Sequence, residues 1–197
     1  MRIGIYGGTF NPPHRGHLIV AERVREKLVL DRVVFVPSHI SPHKQDVVAV
    51  SGQARLDMLR LLLRGNAALE VSDCEVQREG VSYTVDTLRH FRLAYPSAEL
   101  FLLVGRDNFS EFYTWRDPDD ILEMSTLVVM TRPGSEDIRA LPEEGGRIFL
   151  CRVPAIAVSS STIRDRVRRG RSVRHLVPDQ VREYIEQKRL YQEEPET

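Results

Sequence analysis

Strand-like and helix-like segments alternate along nearly the whole chain, and no other feature restricts its fold as tightly. Apolar runs occupy 2–6, 32–37 (RVVFVP), 69–76, 99–104 (ELFLLV), 126–131 (TLVVMT) and 147–153. Segments 16–30, 53–64, 84–95, 118–124, 162–169 and 178–190 read as helices, with a further short helical piece at 108–113. Pro96 and Gly170 stand where helices should stop. Strands joined through helices require right-handed crossovers and a parallel sheet covered on both faces. The expected fold is α/β: a doubly wound, mostly parallel sheet with helices on both faces and a small C-terminal helical portion. A chain of 197 residues suits one domain over 1–191, its helical part at about 159–191, with a frayed acidic tail at 192–197. The loops at 38–52 and 134–146 are long and polar, as binding loops or disordered segments are.

Lysines and arginines number 28, as do aspartates and glutamates, so the formal net charge is zero. Any anion site must therefore be local. No run of about 18 apolar residues exists to span a membrane. Met1-Arg2 leads directly into a short apolar run, without the longer apolar region and cleavage site of a secretory leader. Cys74 and Cys151 lie far apart and form no ligand cluster. Two free thiols and a cytoplasmic location are expected.

The segment GIYGGTFNPPHRGH, from Gly4 to His17, ends the first strand. Sheets of this class bind ligands beyond the carboxyl ends of their strands. Gly7 and Gly8 allow a phosphate or ribose to approach the backbone, and Pro12 and Pro13 stiffen the loop. Thr9 and Phe10 belong to the same turn. The next helix is expected to begin around 14–16, its free N–H groups facing the crevice. His14 and His17, three apart, would share a helical face and donate to phosphate oxygens. Electrostatic stabilisation of a phosphorus centre is expected, because no serine or cysteine stands beside them as a nucleophile. A capping pair or half a metal site is the plainer alternative.

Near the other end, VSSSTIRDRVRRG (158–170) reads as a second helix start. Ser159, Ser160, Ser161 and Thr162 are cap candidates. Arg164 lies in the first turn, a poor place for a cation unless an anion is bound there. Arg166, Arg168, Arg169, Arg171 and Arg174 read as a solvated face, or alternatively as a nucleic-acid patch.

GGTFNPPHRGH resembles the T/HxGH signature of the nucleotidyltransferase α/β-phosphodiesterase superfamily, and in full spelling the bacterial nicotinate-nucleotide adenylyltransferase family. The serine run followed by Ile-Arg resembles that superfamily's second signature. The departures are Asn11, where the family often has Asp, and SHISPHK, where it more often has further prolines or an asparagine. The resemblance implies a Rossmann-like sheet and convergence of both signatures on one ATP. Gly7, Gly8, Thr9, Phe10, His14 and His17 would line the α-phosphate side, Ser160, Ser161 and Arg164 would hold the β- and γ-phosphates, and Arg132 of TRPG would lie near adenine and triphosphate. His14, His17 and Arg164 would be catalytic.

For the acceptor, the family uses the lysine of a Pro-His-Lys sequence, here Lys44, on phosphate; by itself it reads as a surface lysine. GVSYTVDTL places Tyr83 and Thr84 at a helix start suited to a nicotinate carboxylate. A helix capped by Ser82 or Thr84, with Asp86 in its first turn, is the simpler alternative. Asp107 would accept ribose hydroxyls, and Trp115, the only tryptophan, would stack on the pyridine ring; a core position is its alternative. The implied reaction is adenylyl transfer from ATP to nicotinate mononucleotide, giving deamido-NAD and pyrophosphate. Mg²⁺ would enter with ATP, no protein metal site being expected. Neither nucleic acid nor membrane is an expected partner, and self-association into a homo-oligomer is admitted. The rival readings are another adenylyl- or cytidylyltransferase, such as one acting on phosphopantetheine, and a non-catalytic nucleotide or nucleic-acid binder.

Overall fold

The computed structural model describes residues 1–40, 50–131 and 146–192. Six strands, β1 (Arg2–Gly8), β2 (Arg32–Pro37), β3 (Leu69–Val71), β4 (Glu99–Gly105), β5 (Thr126–Thr131) and β6 (Ile148–Arg152), form one sheet in the order β3-β2-β1-β4-β5-β6. Every pairing is parallel. Among the described residues eight α-helices accompany them: α1 (Arg15–Leu28), α2 (Gly52–Leu63), α3 (Cys74–Arg78), α4 (Thr84–Ala94), α5 (Arg106–Phe109), α6 (Pro118–Met124), α7 (Ser160–Arg168) and α8 (Asp179–Gln187).

Period-two alternation decides which residues face which layer. Val33, Phe35, Phe101, Leu103, Val128 and Met130 enter one buried cluster, with Val24 of α1, Leu59 of α2, Ile163 of α7 and Ile185 of α8. Ile3, Ile5, Val34, Val36, Leu102 and Val129 enter the other, with Leu88 of α4 and Ile121 of α6. Both sheet faces are thus dry, which is why the strands read as unbroken apolar runs. Each fully buried Leu, Ile or Phe contributes roughly 1.5–3 kcal/mol. Gly4 is required by packing, since a Cβ there would lie 2.9 Å from a Leu30 methyl.

The expected strand at 69–76 is corrected. It ends at Val71, and Cys74–Arg78 is helical, the Cys74 N–H turning back to the Ser72 hydroxyl at 3.4 Å. Both cysteines are free thiols. Among the described residues no helix is long and apolar enough to cross a membrane. Residues 193–197 of the expected tail lie outside the described residues.

Candidate active site

The strand order reverses between β1 and β4. Beyond β1 the chain passes to α1 on one face, and beyond β4 to α5 and α6, with α6 packed on the other. A crevice opens at such a switch point. Here the backbone at the two strand ends has open space beside it, since a Cβ on Gly7 or Gly105 would meet nothing within 4 Å. Gly8 serves another purpose: a Cβ there would lie 3.0 Å from the Phe10 ring. Phe10 is buried and packs edge-on against Tyr6 and His17. Thr9 is half-buried beside it.

The two histidines do not share a helical face as expected. His14 is extended (φ −147°, ψ 169°) and precedes α1, whereas His17 lies in its first turn. Their rings nevertheless stack, with centroids 3.7 Å apart and planes 20° from parallel. The His14 N–H donates to His17 Nδ1 at 3.1 Å. Nδ1 therefore accepts, and in the neutral ring the proton sits on Nε2. Gly16 makes the stack possible, since a Cβ there would lie 2.9 Å from His14 Nδ1. Burial lowers the His14 pKa to about 4, and burial together with the neighbouring imidazole holds His17 well below its ordinary value. Both rings are neutral at pH 7.

The second signature lies against the first. The Ser160 hydroxyl donates to the Pro12 carbonyl at 2.8 Å, and Arg164 Nη1 donates to the Asn11 carbonyl at 2.8 Å. Ser159 caps α7, accepting from the Thr162 N–H at 3.1 Å, and shares a hydrogen bond with the Ser161 hydroxyl at 2.9 Å. The Arg15 N–H reaches the Leu176 carbonyl at 3.0 Å, a further clasp between the two ends of the chain.

Around the acceptor segment the geometry differs in detail. The N-cap of α4 is Tyr83, with no side-chain cap. Neither hydroxyl plays the expected capping role: Ser82 Oγ instead accepts from the His39 N–H at 2.9 Å. Asp86 lies in the first turn, as expected, paired with Arg89 at 3.2 Å. Val81 bridges to Ile40, bringing the segment beside the loop after β2. The Arg116 guanidinium lies over the Tyr83 ring at 4.8 Å, so the chain just after Trp115 adjoins this turn. Trp115 is half-buried, 5.6 Å from the Phe112 ring and packed against the core. Asp107 is exposed on α5. Lys44 and Arg132 lie outside the described residues.

Sequence reasoning missed the residue that joins these loops. Arg55, 2% exposed, donates to the carbonyls of Val50 (3.1 Å), Thr9 (3.0 Å), Ser38 (2.5 Å) and His39 (3.3 Å). Burial lowers its pKa. An arginine one turn before Leu59, on the apolar side of that helix, was the available signal. Tyr191 was missed too. Its hydroxyl donates to Asn11 Oδ1 at 2.8 Å, across a sequence separation that no local pattern reveals. Buried polar atoms without partners are rare, yet Asn11 Nδ2, His14 Nδ1, Ser38 Oγ and His39 Nδ1 are such atoms, all on the loops after β1 and β2.

A parallel sheet whose strand order reverses beside open glycines, with two stacked imidazoles after β1 and a serine and an arginine bonded to the same loop, has the form of an α/β nucleotide-binding protein. The pattern of the family described as Cytidylyltransferase-like matches residues 5–166. A probable nicotinate-nucleotide adenylyltransferase of Desulfitobacterium hafniense is 43% identical over 96% of this chain and 95% of its own. One of Exiguobacterium sibiricum is 44% identical over 97% and 99%. Among solved structures, the nicotinic acid mononucleotide adenylyltransferase of Plasmodium falciparum complexed with NaAD shares the fold, with a TM-score of 0.80 at 17% identity over 96% of this chain and 97% of that one. The chain belongs to the cytidylyltransferase-like family and, within it, to the nicotinate-nucleotide adenylyltransferases.

Proposed function

We propose that this chain transfers the adenylyl group of ATP to nicotinate mononucleotide, forming deamido-NAD and pyrophosphate in NAD biosynthesis. The observation that carries this is the pair of hydrogen bonds from Ser160 and Arg164 to the Pro12 and Asn11 carbonyls. They bring both signatures to one crevice.

In the reaction a 5′-phosphate oxygen of the mononucleotide attacks the α-phosphorus of ATP. The bond to the bridging oxygen breaks, and its electron pair leaves with pyrophosphate. The nucleophile is already anionic, so catalysis consists mainly of positioning and charge neutralisation. His17 donates Nε2–H toward the α-phosphate, with His14 beside it. Arriving phosphate charge raises both imidazole pKa values, so cationic character develops with the nucleotide in place. Gly7, Gly8, Thr9 and Phe10 shape the floor; Ser160, Ser161 and Arg164 hold the β- and γ-phosphates. Mg²⁺ comes with ATP, because among the described residues the two signatures offer imidazole, hydroxyl and guanidinium groups rather than a carboxylate cage. Tyr83, Thr84, Asp107 and Trp115 receive the acceptor, and residues 1–191 act as one catalytic domain. Lys44 and Arg132 complete the phosphate contacts on the strength of the sequence.

The test is pyrophosphate release with ATP and, side by side, nicotinate mononucleotide, nicotinamide mononucleotide and 4′-phosphopantetheine. Nicotinate mononucleotide should give the highest kcat/KM; a preference for phosphopantetheine would overturn the assignment. His17→Ala should depress kcat by about 10²-fold or more, and a near-normal turnover number would refute its role.

A further inference from the structure

One buried ionisable group takes no part in phosphate chemistry. Glu75, on α3, is 6% exposed. The Thr87 hydroxyl donates to its carboxylate at 2.5 Å, and the Ser82 hydroxyl lies near enough to favour its ionised form. Arg78 and Arg55 lie close enough to attract it. Burial raises its pKa against the pull of these neighbours, and a carboxyl buried this deeply is unfavourable unless its hydrogen bonds achieve something an apolar side chain would not.

Thr87 and Ser82, its partner and its neighbour, bracket the first turn of α4. Ser82 immediately precedes the N-cap Tyr83, and Thr87 lies one turn inside the helix. Ser82 is tied in turn to the loop after β2, its oxygen accepting from the His39 N–H at 2.9 Å and its own N–H donating to the Ile40 carbonyl at 3.0 Å. The turn has no side-chain cap in front. It is held from α3 by one carboxylate through Thr87, with Thr84 half-buried at its start.

We propose that Glu75 is a positioning residue for the acceptor's pyridine ring, acting through Ser82 and Thr87 to fix the first turn of α4. This deepens the reading of that turn as the acceptor subsite and rests on it. A turn held in place before binding loses less freedom when the nicotinate carboxylate arrives. The effect falls on the acceptor and spares ATP, whose phosphates lie against α1 and α7.

The experiment measures KM for each substrate, kcat and melting temperature for the full chain and for Glu75→Ala, Glu75→Gln and Thr87→Val. Glu75→Ala should raise KM for nicotinate mononucleotide about tenfold or more, with KM for ATP within about twofold. Glu75→Gln, which keeps the shape and one acceptor oxygen, should recover part of that loss. Thr87→Val should move the same constant in the same direction. If Glu75→Ala fails to fold, the other two variants carry the measurement. Parallel rises in both KM values, or an unchanged acceptor KM, would overturn the proposal. A wild-type chain that does not turn over nicotinate mononucleotide would instead sink the substrate assignment, and the inference with it.

Discussion

Burying two imidazoles face to face is tolerable only while both are neutral, and this has a consequence for stability. His14 titrates near 4 in the folded chain and near 6.5 when unfolded. Between those values the unfolded chain takes up the proton first. Stability is therefore full above about pH 6.5 and is lost as pH falls toward 4, by about 3 kcal/mol from His14 alone. His17 adds to the loss in the same direction. Urea titrations from pH 7 to 4 should show the decline, and His14→Asn should flatten it; an equal slope in the variant would remove the explanation. Arg55 acts differently, through four carbonyl acceptors at the ends of β1 and β2 and just before α2. Arg55→Met leaves those carbonyls bare at about 1–3 kcal/mol each. Four carbonyls at the lower figure amount to about 4 kcal/mol, so a fall in Tm of roughly 8–16 °C or more is expected for a chain of this size, and a wild-type melting curve would show that water replaces the guanidinium. The histidines were legible in the sequence because both chemistry and spacing are local. Arg55 was not, because its four partners become neighbours only when the loops have folded.

α7 separates two roles that one serine-rich start could have merged. Ser159 caps the helix, and Ser160 and Arg164 reach across to the first loop. Ser159→Ala should lower stability by about 1 kcal/mol, a Tm shift of roughly 2–4 °C, with kcat/KM for ATP nearly unchanged. Arg164→Ala should do the reverse, reducing kcat/KM for ATP about 10²-fold with a smaller effect on Tm. Equal behaviour of the two variants in both assays would show that the helix acts only as a brace. Most elements could be read from apolar periodicity, since burial on both sheet faces leaves an unmistakable run. The exception, 69–76, lies at the sheet edge. There β3 pairs with β2 alone and needs only Leu69–Val71, so the remaining alternation was free to become the helix that carries Glu75. The capping alternative for 82–84 failed for a related reason: Ser82 found a partner in the loop after β2 rather than in its own helix.

At the scale of the molecule, the crevice is built from residues at both ends of the chain, so nucleotide binding should brace the whole fold. ATP at 100 times its Kd should add about 2.7 kcal/mol, read as a rise in Tm of roughly 5–10 °C in a calorimetric scan with Mg²⁺ present. No shift at saturating ATP would mean that the two signatures do not hold one nucleotide. What the residues by themselves determined was the α/β class, the positions of most elements and the residue types of both signatures, because periodicity and short motifs are encoded within a few neighbouring residues. Only the tertiary structure decided that His14 stacks on His17 from outside the helix, that Tyr191 reaches Asn11, that Arg55 joins the loops after β1 and β2, and that Glu75 meets Thr87. Those contacts join residues far apart in the chain, and a buried polar group's partners are chosen by whatever donors and acceptors the packed fold leaves within reach.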